Sequence, residues 1–211
     1  MIRILLVDDH MIIRRGLRQI LAEDARIGTI HEAADGPAAL RCLRSEPVDV
    51  ALLDIALGER DGLDLLGSLR NEFPRLAVLM LSVYPESQFA LRAIRSGAAG
   101  YLNKGCTPAT LLDAISRAAS GGTYVTPEIA ELMTQDIRRD HSRAPHESLS
   151  NREYQVLQLL ASGQTVGDIA SQLSLSANTI STYRARICEK LGLRNSLEIA
   201  HYAARHQLLN T

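Results

Sequence analysis

Cysteine is scarce and scattered. Cys42, Cys106 and Cys188 are the three in 211 residues, with no CxxC pair and no Cys/His metal spacing. That argues against a disulfide framework and reads as free thiols in a reducing cytosol. No apolar run approaches the roughly 18 residues of a membrane span. The first apolar run begins at Ile2 in a strand pattern, from which no secretory leader is expected. A soluble cytoplasmic protein with no membrane partner is the expectation. Internal repeats and low-complexity tracts are missing. Charge of one sign is missing too: 23 basic side chains face 24 acidic ones, for a net charge of −1. The chain as a whole therefore has no electrostatic pull toward nucleic acid.

What is present is an ordinary globular balance, with 46% hydrophobic and 22% charged residues. The charge divides unevenly. Met1–Ser120 holds 14 basic and 15 acidic residues, Gly121–Ser148 holds 3 and 5, and Leu149–Thr211 holds 6 and 4. The last stretch is weakly basic. Through the first 120 residues, short apolar runs alternate with helix-period segments. The expected strands are Ile2–Val7, Thr29–Ala33, Val48–Asp54, Leu76–Ser82 and Ala98–Leu102. The expected helices are Met11–Ala22, Pro37–Ser45, Gly62–Glu72, Glu86–Ser96 and Pro108–Ala119. Pro37 and Pro108 sit where proline favours a helical first turn. Five strands alternating with five helices imply right-handed crossovers and a parallel sheet covered on both faces.

Asp8 and Asp9 follow the first apolar run, Asp54 ends the third, and Lys104 follows the fifth. In an open α/β sheet the carboxyl ends of the strands share one edge, where ligands bind. The four charges therefore converge. Three carboxylates together repel unless a cation joins them, and Mg²⁺ with oxygen ligands satisfies that need. Lys104 adds a point charge suited to phosphate. A metal, a lysine and a carboxylate nucleophile suit phosphoryl transfer to an aspartate. One such aspartate alone is more often a helix cap, so the combination carries the argument. His10 and His31 read as surface or packed residues, and His141 and His146 are too few for a metal site.

Beyond Gly121-Gly122 the pattern breaks. A short helix is expected over Glu128–Arg138, then an exposed linker with almost no apolar residues through Ser148. From Leu149 the pattern is all helical. Ser150-Asn151-Arg152-Glu153 is a capping-box arrangement opening a helix to about Ala161. Val166–Leu173 follows, then a tight turn at Ser174-Leu175-Ser176, then Ala177–Leu191 ended by Gly192. Ser196–His206 is the last. A short helix, a tight turn and a longer polar helix form a helix-turn-helix pattern. In the longer helix Ile180, Tyr183, Ile187 and Leu191 face inward. Asn178, Thr182, Ala185, Arg186 and Glu189 face outward, with Ser181 at one side and Arg184 at the border.

With these residues assembled, the chain resembles a two-component response regulator of the NarL/FixJ (LuxR-type helix-turn-helix) family. The resemblance spans nearly the whole chain apart from the linker. In the output half it rests on Leu149-Ser150-Asn151-Arg152-Glu153, Ile169-Ala170, Thr179-Ile180 and Lys190-Leu191-Gly192. It implies a flavodoxin-like, doubly wound, five-stranded receiver at 1–120, a linker at 121–148 and a small all-α DNA-binding domain at 149–211. It implies a regulator of promoters, not an enzyme, with Asp54 as phosphoacceptor for a sensor histidine kinase. Mg²⁺ would be held by Asp9, Asp54 and the Ala56 carbonyl, with Asp8 acting mostly through water. Ser82 and Lys104 would contact the phosphoryl group, and Tyr101 would move inward as the switch. Asn178, Thr179, Ser181, Thr182, Arg184, Ala185, Arg186 and Lys190 would face DNA. The partners implied are promoter DNA, RNA polymerase and a second copy after phosphorylation.

The chain departs from the family pattern in three places. Leu57-Gly58-Glu59-Arg60 replaces the usual Met-Pro-Gly stretch, from which a more mobile loop is expected. Gly105 replaces an acidic residue, and Arg184 an aliphatic one. The competing readings are an α/β phosphotransferase or hydrolase using Asp54 on a small substrate, and a regulator that binds DNA constitutively or acts by contacting another protein. The first would need a cap domain for which the loops are too short.

Overall fold

The computed structural model describes residues 1–57, 60–138, 145–173, 175–206 and 208–209. Positions 58 and 59 fall outside the described residues, and with them the mobility expected of that loop. The chain divides into two compact units, Met1–Arg139 and Asp140–Thr211.

In the first unit the apolar runs become strands β1 (Ile2–Val7), β2 (Ile27–Ala33), β3 (Val50–Asp54), β6 (Ala77–Ser82) and β7 (Gly100–Asn103). Two-residue strands β4 (Ala56–Leu57) and β5 (Arg60–Asp61) form a small antiparallel ladder after β3. The five longer strands make one sheet in the order β2-β1-β3-β6-β7, and every pairing in it is parallel. The order reverses between β1 and β3, which opens a crevice at their carboxyl ends. Helices α1 (Met11–Ala22), α2 (Gly36–Ser45), α3 (Gly62–Glu72), α4 (Glu86–Arg95) and α5 (Pro108–Ala119) fill the crossovers. Two of them start as the prolines suggest. Asp35 accepts from the Ala38 N–H and Thr107 from the Thr110 N–H, each just before a first-turn proline. Strand β3 is buried along its whole length, as a strand covered on both faces must be. Leu6, Leu52, Leu79 and Ile115 belong to one core cluster, each contributing roughly 1.5–3 kcal/mol by its burial.

The stretch expected to be linker is divided. After α5, Tyr124 donates its N–H to the Ala99 carbonyl at 2.7 Å and bridges to Gly100. Helix α6 (Pro127–Arg138) then packs on α4. Thr126 caps α6 at the Ile129 N–H and donates its hydroxyl proton to Glu86 of α4, while Arg95 pairs with Asp136. Ile129 is fully buried. So 121–138 belongs with the first unit, for reasons of apolar burial and edge pairing.

The second unit contains α7 (Asn151–Ala161), α8 (Val166–Gln172), α9 (Ala177–Leu191) and α10 (Ser196–Arg205). The capping box forms as spaced: Ser150 accepts from the Glu153 N–H, and Glu153 accepts from the Ser150 N–H. A second box, Thr165 with Asp168, starts α8. Gly192 ends α9 at φ 67°, a left-handed conformation that glycine adopts without strain. Val156, Ile169, Ile180, Ile187 and Ile199 close one core, with Tyr183 and Leu191 packed at its border.

Candidate functional site

The parallel register brings the strand ends level. Asp54 pairs across from Leu81 and Ser82 from Asn103, and the Lys104 N–H donates to the Ser82 carbonyl at 2.7 Å. Asp8 and Asp9 follow β1, Asp54 closes β3, Ser82 closes β6, and Lys104 follows β7. The first three carboxylates and His10 offer ligand atoms that all lie within 4.8 Å of one another.

Lys104 bridges the two buried acids. Its Nζ lies 2.6 Å from Asp8 Oδ2 and 2.6 Å from Asp54 Oδ2. Asp8 Oδ1 accepts the His10 backbone N–H at 2.7 Å, and Asp54 Oδ1 accepts the Ala56 N–H at 3.2 Å. Asp54 is 2% exposed. That burial pushes its carboxyl up to about 6, against the attraction of Lys104 and with the help of Asp8. Three carboxylates and one ammonium leave a formal charge of −2, which a divalent cation balances. The donors are hard oxygens, and Asp54 Oδ2 is held at 2.6 Å by the Lys104 ammonium. The donor set fits Mg²⁺.

Around this pocket the remaining expected residues fall into two groups. Ser82 is buried and its Oγ accepts the Tyr84 N–H at 3.0 Å. Tyr101 is fully buried, and its hydroxyl donates to the Tyr84 carbonyl at 3.0 Å. Burial raises the Tyr101 phenol well above its ordinary range, which keeps it a donor. The ring expected to move inward thus already lies inside. Ser82 and Tyr101 meet at the backbone of one residue, Tyr84, on its N–H and its carbonyl respectively.

One residue near the site, Gly62, went unread in the sequence. A Cβ at Gly62 would lie 2.0 Å from the Asp54 carbonyl oxygen, and the Gly62 N–H donates to Ile55 at 2.8 Å. Glycine there lets α3 begin directly against the Asp54 peptide; the glycine eight residues after Asp54 was the signal available. His10, read as surface or packed, places Nδ1 at 2.7 Å from Asp9 Oδ1 and 3.3 Å from Asp8 Oδ1.

In the second unit α9 presents Asn178, Thr182, Arg184, Ala185 and Arg186 as exposed residues, with Ser181 half-buried beside them. Neither Arg184 nor Arg186 forms a salt bridge among the described residues. Two of the expected contacts are already engaged. Thr179 shares a hydrogen bond with Ser176 at 2.8 Å in the cap, and Lys190 pairs with Glu153 at 2.6 Å. Burial pushes Glu153 up, but Lys190 and the Ser150 cap bonds outweigh it and hold the carboxyl below its usual range.

The chain matches the family model "Response regulator receiver domain" over residues 4–116 and "Bacterial regulatory proteins, luxR family" over 147–203. It is 36% identical to the response regulator UvrY of Escherichia coli (strain K12) over 211 residues, covering all of this chain and 97% of that protein. The structure of the response regulator ChrA from a heme-sensing two-component system is 32% identical, with a TM-score of 0.53 over 99% of this chain and 98% of that one. A structure of two RcsB dimers bound to two parallel DNAs is 25% identical, with a TM-score of 0.59 over 96% of this chain and 98% of that one. Among the described residues no helix is long and apolar enough to cross a membrane. A parallel sheet with an acidic crevice, followed by a helix-turn-helix unit, and matched along its length by such relatives, belongs to the NarL/FixJ family of two-component response regulators, DNA-binding regulators of transcription rather than enzymes.

Proposed function

We propose that Asp54 accepts a phosphoryl group from a partner histidine kinase and that the acyl phosphate switches promoter binding by the second unit. The observation that carries this reading is the buried Asp54 carboxylate held 2.6 Å from Lys104 at the mouth of the crevice. In the transfer an Asp54 oxygen forms the new P–O bond while the P–N bond of the phosphohistidine breaks. Asp8, Asp9, Asp54 and the Ala56 carbonyl would hold Mg²⁺, which when bound neutralises charge on the phosphoryl oxygens. Lys104 then exchanges part of its contact with Asp8 for the phosphoryl group, whose charge is about −1.5 to −2.

Ser82 supplies the next step. Its hydroxyl turns to donate to the phosphoryl group, which shifts its bond with the Tyr84 N–H. The backbone of Tyr84 also holds Tyr101, through its carbonyl, and leads into α4. The phosphoryl group thus biases a two-state loop that already exists. In function, 1–120 is the receiver, 149–211 the DNA-binding domain, and 121–148 joins them with α6 resting on the receiver. Helix α9 enters the major groove, with Asn178, Ser181 and Thr182 at base edges and Arg184 and Arg186 at phosphates or guanines. Two copies read paired half-sites, an arrangement that the RcsB dimers on DNA support. RNA polymerase is the downstream partner at such a promoter, and the working compartment is the cytoplasm.

The test is intact mass after incubation with Mg²⁺ and acetyl phosphate, for the native chain and Asp54→Ala, with oligomer size and promoter affinity read on the same samples. One phosphoryl group that Asp54→Ala loses, with tighter promoter binding, is the expected result. Equal phosphate uptake by both proteins rejects Asp54 as the acceptor. Promoter affinity unaffected by the phosphoryl group favours a constitutive binder.

A further inference from the structure

Resting on the reading that Asp54 is the phosphoacceptor, we infer that α6 is a second moving part of the switch, locked to α4 by a clasp between Glu86 and Thr126 that the phosphoryl group opens. Glu86 is the first residue of α4, and Pro85 before it gives that helix no side-chain cap. Thr126 stands directly before α6 and uses its hydroxyl twice. The oxygen accepts the Ile129 N–H at 3.2 Å, which caps α6, and the proton is donated to Glu86 Oε2. At the far end Arg95 of α4 pairs with Asp136 of α6. Start is tied to start and end to end, so the two helices run parallel. Ile129, between the two ties in sequence, is fully buried. The Glu86 carboxylate thus stands at the positive ends of two helix dipoles, which strengthens the clasp.

The pocket reaches this clasp over a short path. Ser82 Oγ accepts the Tyr84 N–H at 3.0 Å, and Glu86 follows Tyr84 by two residues. The Tyr84 ring also packs on Phe89 of α4, with centroids 5.5 Å apart, and Phe89 is buried. A turn of the Ser82 hydroxyl toward a phosphoryl group therefore shifts Tyr84 and carries the first turn of α4 with it. Thr126 is not free to follow, because the N–H of Tyr124 is bound to the Ala99 carbonyl at 2.7 Å. The Glu86–Thr126 bond is the contact that gives way. The Arg95–Asp136 pair lies about 13 Å further along α4, beyond the reach of that shift, so α6 swings from its start while its end stays tied. The chain leaves the first unit from the end of α6. A change in the seat of α6 thus reaches the segment that leads to the DNA-binding unit, as a shift between two states of one helix pair.

Amide hydrogen exchange on the full chain, with and without Mg²⁺ and acetyl phosphate, tests this, since exchange reads local opening. Promoter affinity and intact mass are read on the same samples. The proteins are the native chain, Glu86→Ala, Glu86→Gln, Arg95→Gln and Asp54→Ala. In the native chain the phosphoryl group speeds exchange in the first turn of α6, at Ile129 and Ala130, and Asp54→Ala shows no such change. Glu86→Ala removes the clasp but keeps the Thr126 cap. It takes up phosphate as the native chain does, yet exchanges fast at α6 and binds promoter more tightly before any phosphate is added. Coupling between two sites typically amounts to about 5- to 150-fold in affinity; in Glu86→Ala that ratio falls toward one. Glu86→Gln keeps an acceptor for Thr126 and restores the native ratio, and Arg95→Gln leaves it near native. Exchange at α6 that ignores the phosphoryl group while promoter affinity still rises overturns the clasp and leaves the Asp54 reading standing. A native ratio in Glu86→Ala, or a ratio lost because the phosphorylated form binds more weakly, overturns it as well. No phosphoryl group on the native chain overturns both.

Discussion

Replacing Asp54 with asparagine stabilises the metal-free first unit at neutral pH. Burial raises the Asp54 carboxyl from 3.8 to about 6. The folded unit therefore binds that proton more tightly than the unfolded chain does. Below the unfolded value both states are protonated and nothing is lost. As pH rises toward the folded value the unfolded chain gives up its proton first, and stability falls. Above about 6 the loss is complete and stays constant. A shift of about two units at 1.36 kcal/mol each amounts to about 3 kcal/mol, already net of the attraction of Lys104. For a unit of this size that corresponds to roughly 10 °C in melting temperature. Calorimetry in chelator-treated buffer from pH 4 to 7.5 reads the effect, with the first unit's transition identified as the one that Mg²⁺ moves. The native transition should fall across the acid range while that of Asp54→Asn stays level, and Mg²⁺ should narrow the gap between them. Parallel pH profiles, or an asparagine variant that melts lower than the native chain at neutral pH, would refute the reasoning.

Three further outcomes follow from the same geometry. Gly62→Ala forces a Cβ against the Asp54 carbonyl, so it costs about 1–3 kcal/mol or more and slows phosphate uptake, read by unfolding and by intact mass. Lys190→Ala leaves the buried Glu153 carboxylate without its cation and destabilises the second unit by about 1–3 kcal/mol. Because Glu153 is held below its usual range, the native advantage exists above the unfolded carboxylate pKa and disappears as pH falls through the folded value. Thermal melts of native and variant should therefore converge in acid. Arg186→Ala should weaken promoter binding and reduce the slope of log affinity against log salt by about 0.9, if its phosphate contact is made; an unchanged slope measured by anisotropy removes Arg186 from the phosphate contacts.

Most of the sheet was legible because a strand buried on both faces must be apolar throughout. Ile4–Val7 in β1 and Val50–Leu53 in β3 follow from that alone. Strand starts were less legible. Val48 and Asp49 extend the apolar run, but Asp49 accepts two side-chain hydrogen bonds from Arg3 and lies outside the ladder of β3. Local chemistry was readable where its partners are three residues apart, as in the Ser150–Glu153 box. It was not readable where partners are distant. Lys190 looks like a free cation on a polar helix, and only the folded chain brings it to Glu153, 37 residues earlier. The same holds for α6, whose helical period was visible but whose packing on α4 depends on Ile129 and on Thr126 reaching Glu86.

The attachment of α6 has a practical consequence for exchanging output modules. A cut placed at the end of α5 would strip the outer edge of β7 of the Tyr124 bridge and uncover the apolar ground beneath Ile129. An unpaired strand edge beside fresh apolar surface is an invitation to aggregate. Chimeric sensors built from this receiver should keep the native sequence through Arg138 and graft a foreign effector only beyond it.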